Sequence, residues 1–86
     1  MESDIAMSVQ AYIMINVKTG SEDRVADQIL KFSEVEDISA IYGEYDLIVK
    51  VEAKDMNHLD RLIIDKLRNV SEILLTATML IAKEYK

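Results

Sequence analysis

The chain contains no cysteine, no proline and no tryptophan, and only two glycines, one histidine and one phenylalanine. Without cysteine there are no disulfides, thiolate zinc sites, iron–sulfur clusters or cysteine nucleophiles, which fits a reducing, cytoplasmic setting. A single histidine, His58, is too few for a conventional zinc site, which draws on several His and Cys ligands. Two glycines, Gly20 and Gly43, exclude both a Walker loop and a G-x-G-x-x-G fingerprint. The serines Ser21, Ser33, Ser39 and Ser71 sit in no G-x-S-x-G elbow. No apolar run approaches the roughly 18–20 residues of a membrane span, and the acidic N-terminus lacks the apolar core of a signal peptide. Ten Lys and Arg stand against 16 Asp and Glu, a net charge of −6. The basic residues are scattered, so the chain lacks the basic face that direct nucleic-acid binding requires.

What the sequence does hold is apolar pattern: half of its 86 residues are hydrophobic. This length allows one domain with a modest core, and the surplus of apolar residues predicts a subunit interface. Residues 1–8, MESDIAMS, read as a flexible leader with Met7 a candidate second start, leaving 9–86 as the single domain. From Val9 to Val17 the sequence VQAYIMINV alternates with period two, predicting a strand. Thr19-Gly20-Ser21 ends it. Ser21 is placed as an N-cap, with Glu22 and Asp23 at the positive end of a helix whose stripe Val25, Ala26, Ile29, Leu30 runs to about Phe32. A second strand is expected over 35–42, then the turn Gly43-Glu44-Tyr45, then a strand bearing Leu47, Val49 and Val51 on one face. Asp55 is the next N-cap, and Leu59, Leu62, Ile63, Leu67 and Val70 form a second helical stripe. EILLTATMLIAK closes the chain as a last strand.

The order β-α-β-β-α-β predicts an α+β, ferredoxin-like sandwich: a four-stranded antiparallel sheet with two helices on one face. The other face is left bare, holding Tyr12, Met14, Ile48 and Leu74 or Leu75, and such a face predicts sheet-on-sheet dimerisation into a dimeric α+β barrel. Three familiar uses of this fold do not fit. Base-stacking RNA-recognition motifs need basic, aromatic central strands. Copper chaperones need Cys-x-x-Cys. An acylphosphatase-like enzyme needs an Arg-bearing anion loop after strand one, whereas here the loop is Lys18-Thr19-Gly20-Ser21-Glu22-Asp23.

Tyr42-Gly43-Glu44-Tyr45-Asp46 reads in two ways. As a hairpin turn, Gly43 supplies positive φ and Asp46 bonds local backbone. As the wall of a site for a small zwitterion, Asp46 or Glu44 pairs with an ammonium and N–H groups around Gly43 meet a carboxylate. Thr76 and Thr78 share one face of the last strand, either as strand formers or as ligand hydroxyls.

The run from Val17 to Ile81 resembles the C-terminal ligand-binding domain of the Lrp/AsnC (feast/famine) transcription regulators, the RAM domain. V-K-x-G at 17–20, Y-G-E-Y-D-L-I-V-K-V at 42–51, D-x-x-x-L at 55–59 and T-x-T at 76–78 carry the likeness. The resemblance implies a non-enzymatic, amino-acid-binding module, without cofactor or metal, dimeric through its sheet and assembling to tetramers or octamers. It implies ligand contacts at Tyr42, Gly43, Glu44, Asp46, Thr76 and Thr78, in clefts between dimers. The helix-turn-helix domain of the full-length family is absent from this sequence, so it reads as a stand-alone module acting with full-length regulators. Ser71-Glu72-Ile73 replaces the family's usual Gly-Val before the last strand. Two other classes stay open: a small α+β barrel enzyme using His58, Tyr12 or Asn16 inside the barrel, and a purely structural assembly partner.

Overall fold

The computed structural model describes residues 8–86, so the leader, Ser8 apart, lies outside the described residues. Strand β1 spans Val9–Val17, helix α1 Glu22–Ile29, strand β2 Val35–Ala40 and strand β3 Leu47–Ala53. Helix α2 opens as an α-helix over Met56–Arg61, passes through a π turn over Leu62–Lys66 and ends in a 3₁₀ turn over Leu67–Asn69. Strand β4 spans Ile73–Leu80. The strands form one antiparallel sheet in the order β2-β3-β1-β4. The expected ferredoxin-like plan is the one observed.

Alternation along the strands sorts the two faces. Ala11, Ile13, Ile15 and Val17 of β1, with Leu47, Val49, Val51 and Ala53 of β3, point under the helices and are buried. They meet Val25 and Ile29 of α1 and Leu59, Leu62, Leu67 and Val70 of the α2 segment in one core. Each fully buried aliphatic side chain there contributes about 1.5–3 kcal/mol of transfer free energy. The opposite face carries no helix. Its registered rows run Lys50–Tyr12–Met79 and Ile48–Met14–Ala77, with Leu75 beside Asn16. The register therefore selects Leu75 over Leu74 for the bare face, and it shows more polarity there than the sequence suggests.

Local hydrogen bonds explain where the elements differ from the pattern. Helix α1 ends at Ile29, because Lys31 and Phe32 donate to the carbonyls three residues back, at Gln28 and Ile29, and tighten the last turn. Ser21 is not a side-chain cap: it is buried, and its hydroxyl donates back to the Lys18 carbonyl at 2.6 Å, clasping the β1–α1 turn. Asp55 is a cap, its Oδ1 accepting the His58 N–H at 2.9 Å. The π turn answers a spacing problem. Leu62 and Leu67 are five apart, about 140° out of phase on an α-helix. The Leu67 N–H reaches both the Ile63 and Leu62 carbonyls, and this wider turn brings both leucines into the core.

Candidate functional site

The β2–β3 connection is held at its base by one residue. The Asp46 N–H donates to the Ile15 carbonyl at 2.9 Å, and its own carbonyl accepts the Ile41 N–H at 3.0 Å. Its Oδ2 accepts the Val17 N–H at 2.9 Å. The Ile41–Asp46 bond closes the loop, and the other two tie it to the end of β1. Asp46 thus bonds backbone, as the turn reading expects, but backbone 29 residues away rather than local.

Between these anchors, the N–H groups of Tyr42, Gly43, Glu44 and Tyr45 donate to no acceptor among the described residues. Gly43 has φ +136°, a conformation that side chains rarely adopt, and it lets the loop spread open rather than close as a tight turn. The Tyr42 side chain is fully exposed. An open cleft of about 480 Å³ forms beside the loop, lined by Ala40, Ile41, Tyr42, Gly43 and Asp46 on one side and by Glu22 and Asp23 of α1 on the other. No Lys or Arg lines it. The nearby Arg24 is engaged by Glu72 at 3.2 Å. The cleft pairs carboxylates that suit an ammonium with unclaimed N–H groups that suit a carboxylate.

Of the residues expected at a ligand site, Tyr42, Gly43 and Asp46 therefore come together. Glu44 belongs to the same loop but not to the cleft lining. Thr76 and Thr78 lie on β4, opposite Ile15 and Ile13 of β1. Thr76 is level with the loop along β1 but about 10 Å away, two interstrand spacings. It lines a separate cleft with Ile63, Leu67 and Arg68, and Thr78 lines neither. Glu22 and Asp23 also line the cleft, although the pattern placed them only at the positive end of the helix and in a loop too acidic for an anion; their signal was the acidic K-T-G-S-E-D run itself.

The groups named for a barrel enzyme are divided between two surfaces. His58 stands on the outer surface of α2, its Nδ1 2.7 Å from Asp55 Oδ1, whose carboxyl is held below the usual range by that bond and by the His58 N–H. Tyr12 and Asn16 sit on the bare sheet face. On that face Glu36 is pushed up by its hydrogen bond to Glu52, with burial and the Glu52 charge adding to the shift. Among the described residues no cluster of His, Asp or Glu is arranged to hold a metal ion, and no helix is long and apolar enough to cross a membrane.

Fold and loop together define a ferredoxin-like α+β module with a ligand-sized cleft at its β2–β3 connection. Residues 10–86 match the model of the Lrp/AsnC ligand binding domain, and the chain belongs to that family. It is 28% identical over 82 residues to the HTH-type transcriptional regulator FL11 of Pyrococcus furiosus, covering 95% of this chain and 54% of that protein. It is 36% identical over 78 residues to an uncharacterised HTH-type regulator, YugG, of Bacillus subtilis, covering 85% and 47%. The chain thus spans about half the length of these curated relatives. Among solved structures, FFRP-DM1 superposes with a TM-score of 0.82 at 41% identity, covering 85% of this chain and 97% of that one. Escherichia coli AsnC superposes at 0.90 over the whole chain and 58% of its own, at 20% identity, a likeness of fold. The same holds for NMB0573 of Neisseria meningitidis, solved as a complex with L-Met, at 0.87, 23% identity, and 100% and 57% coverage.

Proposed function

We propose that this chain is a non-enzymatic, amino-acid-binding and oligomerisation module of Lrp/AsnC-type transcription regulation. The observation that carries the reading is the β2–β3 loop, whose four unclaimed N–H groups stand beside a cleft bearing the carboxylates of Glu22, Asp23 and Asp46. An amino acid would place its carboxylate on the N–H groups around Gly43 and Glu44 and its ammonium against Asp46 and α1. Tyr42 would close over it from the rim. Thr76 and Thr78 would reach this ligand only from a neighbouring copy, so that a shared site couples binding to assembly. The L-Met complex of NMB0573 supports an amino acid as the ligand class.

The bare sheet face supports dimerisation with a second copy, and further pairing of dimers gives tetramers or octamers. The matches to helix-turn-helix regulators support a role in the cytoplasm beside full-length regulators that contact DNA. An effector shifts such assembly only by binding one state better than the other. Calorimetric titration with the common amino acids, read beside light scattering, tests the proposal. Saturable binding of at least one, with a change in assembly size, is expected. No heat from any of them, with an unchanged assembly, would overturn it.

A further inference from the structure

We propose that the segment after β4, residues 82–86, is a strap across one end of the bare sheet face, held there by Glu84 on Lys50 and displaced when a second copy docks. The Ile81 N–H donates to the Gln10 carbonyl at 2.9 Å and carries the β4 ladder one residue past its end. Residues 82–86 have no regular structure. The Glu84 carboxylate nonetheless accepts a hydrogen bond from Lys50 Nζ at 3.1 Å. Lys50 stands on β3, and its row on the bare face runs through Tyr12 of β1 to Met79 of β4. The contact therefore reaches from the β4 edge past β1, two interstrand spacings or about 10 Å. Lys50 Nζ lies 5.9 Å from the centre of the Tyr12 ring, so the bridge is made above that row. The Lys50 side chain is only 22% exposed, on a face that no helix covers. Strap and sheet leave between them a cleft of about 470 Å³, with Gln10 and Glu52 on the sheet side and Ala82, Lys83 and Glu84 on the strap.

Two sheets that pack face to face lie about 10 Å apart with their side chains interdigitated. A segment fastened across one of them takes up that space, so the strap and a second copy compete for the same end of the face. The hold is weak, because an ion pair with a half-exposed partner stabilises little. Release does not strand Lys50, since Glu36 and Glu52 share its corner of the face. With Glu84 in place that corner gathers three carboxylates around one lysine, and its departure removes one of them. The strap thus sets the concentration at which copies pair. The inference rests on pairing through the bare face, but not on the loop being an effector site.

Sedimentation velocity over a concentration series compares the intact chain, Glu84→Gln and a chain ending at Ile81, each with and without Leu75→Glu. Glu84→Gln should strengthen pairing by about two- to fivefold, the effect of losing an exposed ion pair, and removal of 82–86 by at least as much. Leu75→Glu should weaken pairing in all three. Amide relaxation of the intact chain should show residues 82–86 ordered when dilute and mobile when paired. Equal pairing by the three chains, or strap amides unchanged on pairing, would overturn the strap alone. Weaker pairing of the shortened chain would overturn it too, making the segment an arm exchanged between copies. No pairing in any chain, or pairing that Leu75→Glu leaves unaltered, would overturn docking through the bare face and the strap with it.

Discussion

Removing the Asp46 carboxylate leaves the part-buried Val17 N–H without its acceptor, while the Asp46 N–H keeps its bond to Ile15 of β1. Asp46→Ala should therefore cost about 1–3 kcal/mol in urea unfolding, the penalty of an orphaned donor. Asp46→Asn keeps an oxygen that can accept the same bond, so it should recover most of that stability while losing the charge that pairs with an ammonium. The pair of variants separates the residue's two roles. At Gly43 a Cβ meets nothing within 4 Å, so Gly43→Ala is opposed by backbone strain alone. That strain should cost about 1–3 kcal/mol in the same assay. At this scale the sequence was informative about identity and less so about partners. Gly43 and Asp46 stand out in Y-G-E-Y-D, but the acceptor role of Asp46 toward Val17 depends on β1 lying beside β3, which no local pattern encodes. Ser21 occupies the N-cap position as expected, but its side chain does not cap, for a related reason. A serine before a helix favours capping, but burial of the β1–α1 turn gave its hydroxyl a nearer acceptor in Lys18.

The two helices differ in how they end and in what holds them. Helix α2 starts at the Asp55 cap, whose carboxyl is held below its usual range first by the His58 ring and then by the His58 N–H. A depressed carboxyl stabilises the fold above the ordinary aspartate pKa and loses that contribution as pH falls through its lowered value. Asp55→Ala should accordingly lower the melting temperature near neutral pH and leave it unchanged in strong acid, where the carboxyl is protonated in both states. The π turn makes its own prediction. Deleting Ile64, which is exposed, restores four-residue spacing between Leu62 and the residue now numbered one lower than Leu67. The deletion should fold with its core intact and a stability change within about 1.5 kcal/mol, the range of a volume-conserving repacking. Strand and helix existence was legible from periodicity, because the bury-expose rhythm of β1 and β3 survives in the fold. The π turn was not: Leu59, Leu62, Ile63 and Leu67 satisfy an approximate helical stripe, and only the hydrogen bond of Leu67 shows how the five-residue gap is closed.

The whole molecule presents a sheet with helices on one side only. Leu75 and Met79 are about half exposed on the bare face, and Tyr12, Met14 and Ile48 continue the surface across β1 and β3. Met79→Glu or Leu75→Glu should weaken self-association by about tenfold or more without unfolding the monomer, because a carboxylate buried without a partner in the proposed sheet-to-sheet interface is costly. Light scattering coupled to size exclusion reads this directly. Alternation along the third strand already places Lys50 and Glu52 on this face beside Ile48, but it does not show that Glu36 and Glu84 join them there. That polar corner depends on the β2 register shift between Val35 and Asp37 and on the segment after β4, where Glu84 reaches Lys50 at 3.1 Å. The separation of Thr76 and Thr78 from the loop residues was equally out of reach, since it follows from β2 and β4 occupying opposite edges of the sheet.

As proposed, the β2–β3 loop receives an amino acid through its own backbone. The most direct measurement is the amide spectrum of the protein saturated with whichever amino acid binds most tightly. The Tyr42, Gly43, Glu44 and Tyr45 amides should move the furthest, and Asp46→Asn should abolish those shifts. Saturable binding that leaves these four amides unmoved would contradict it.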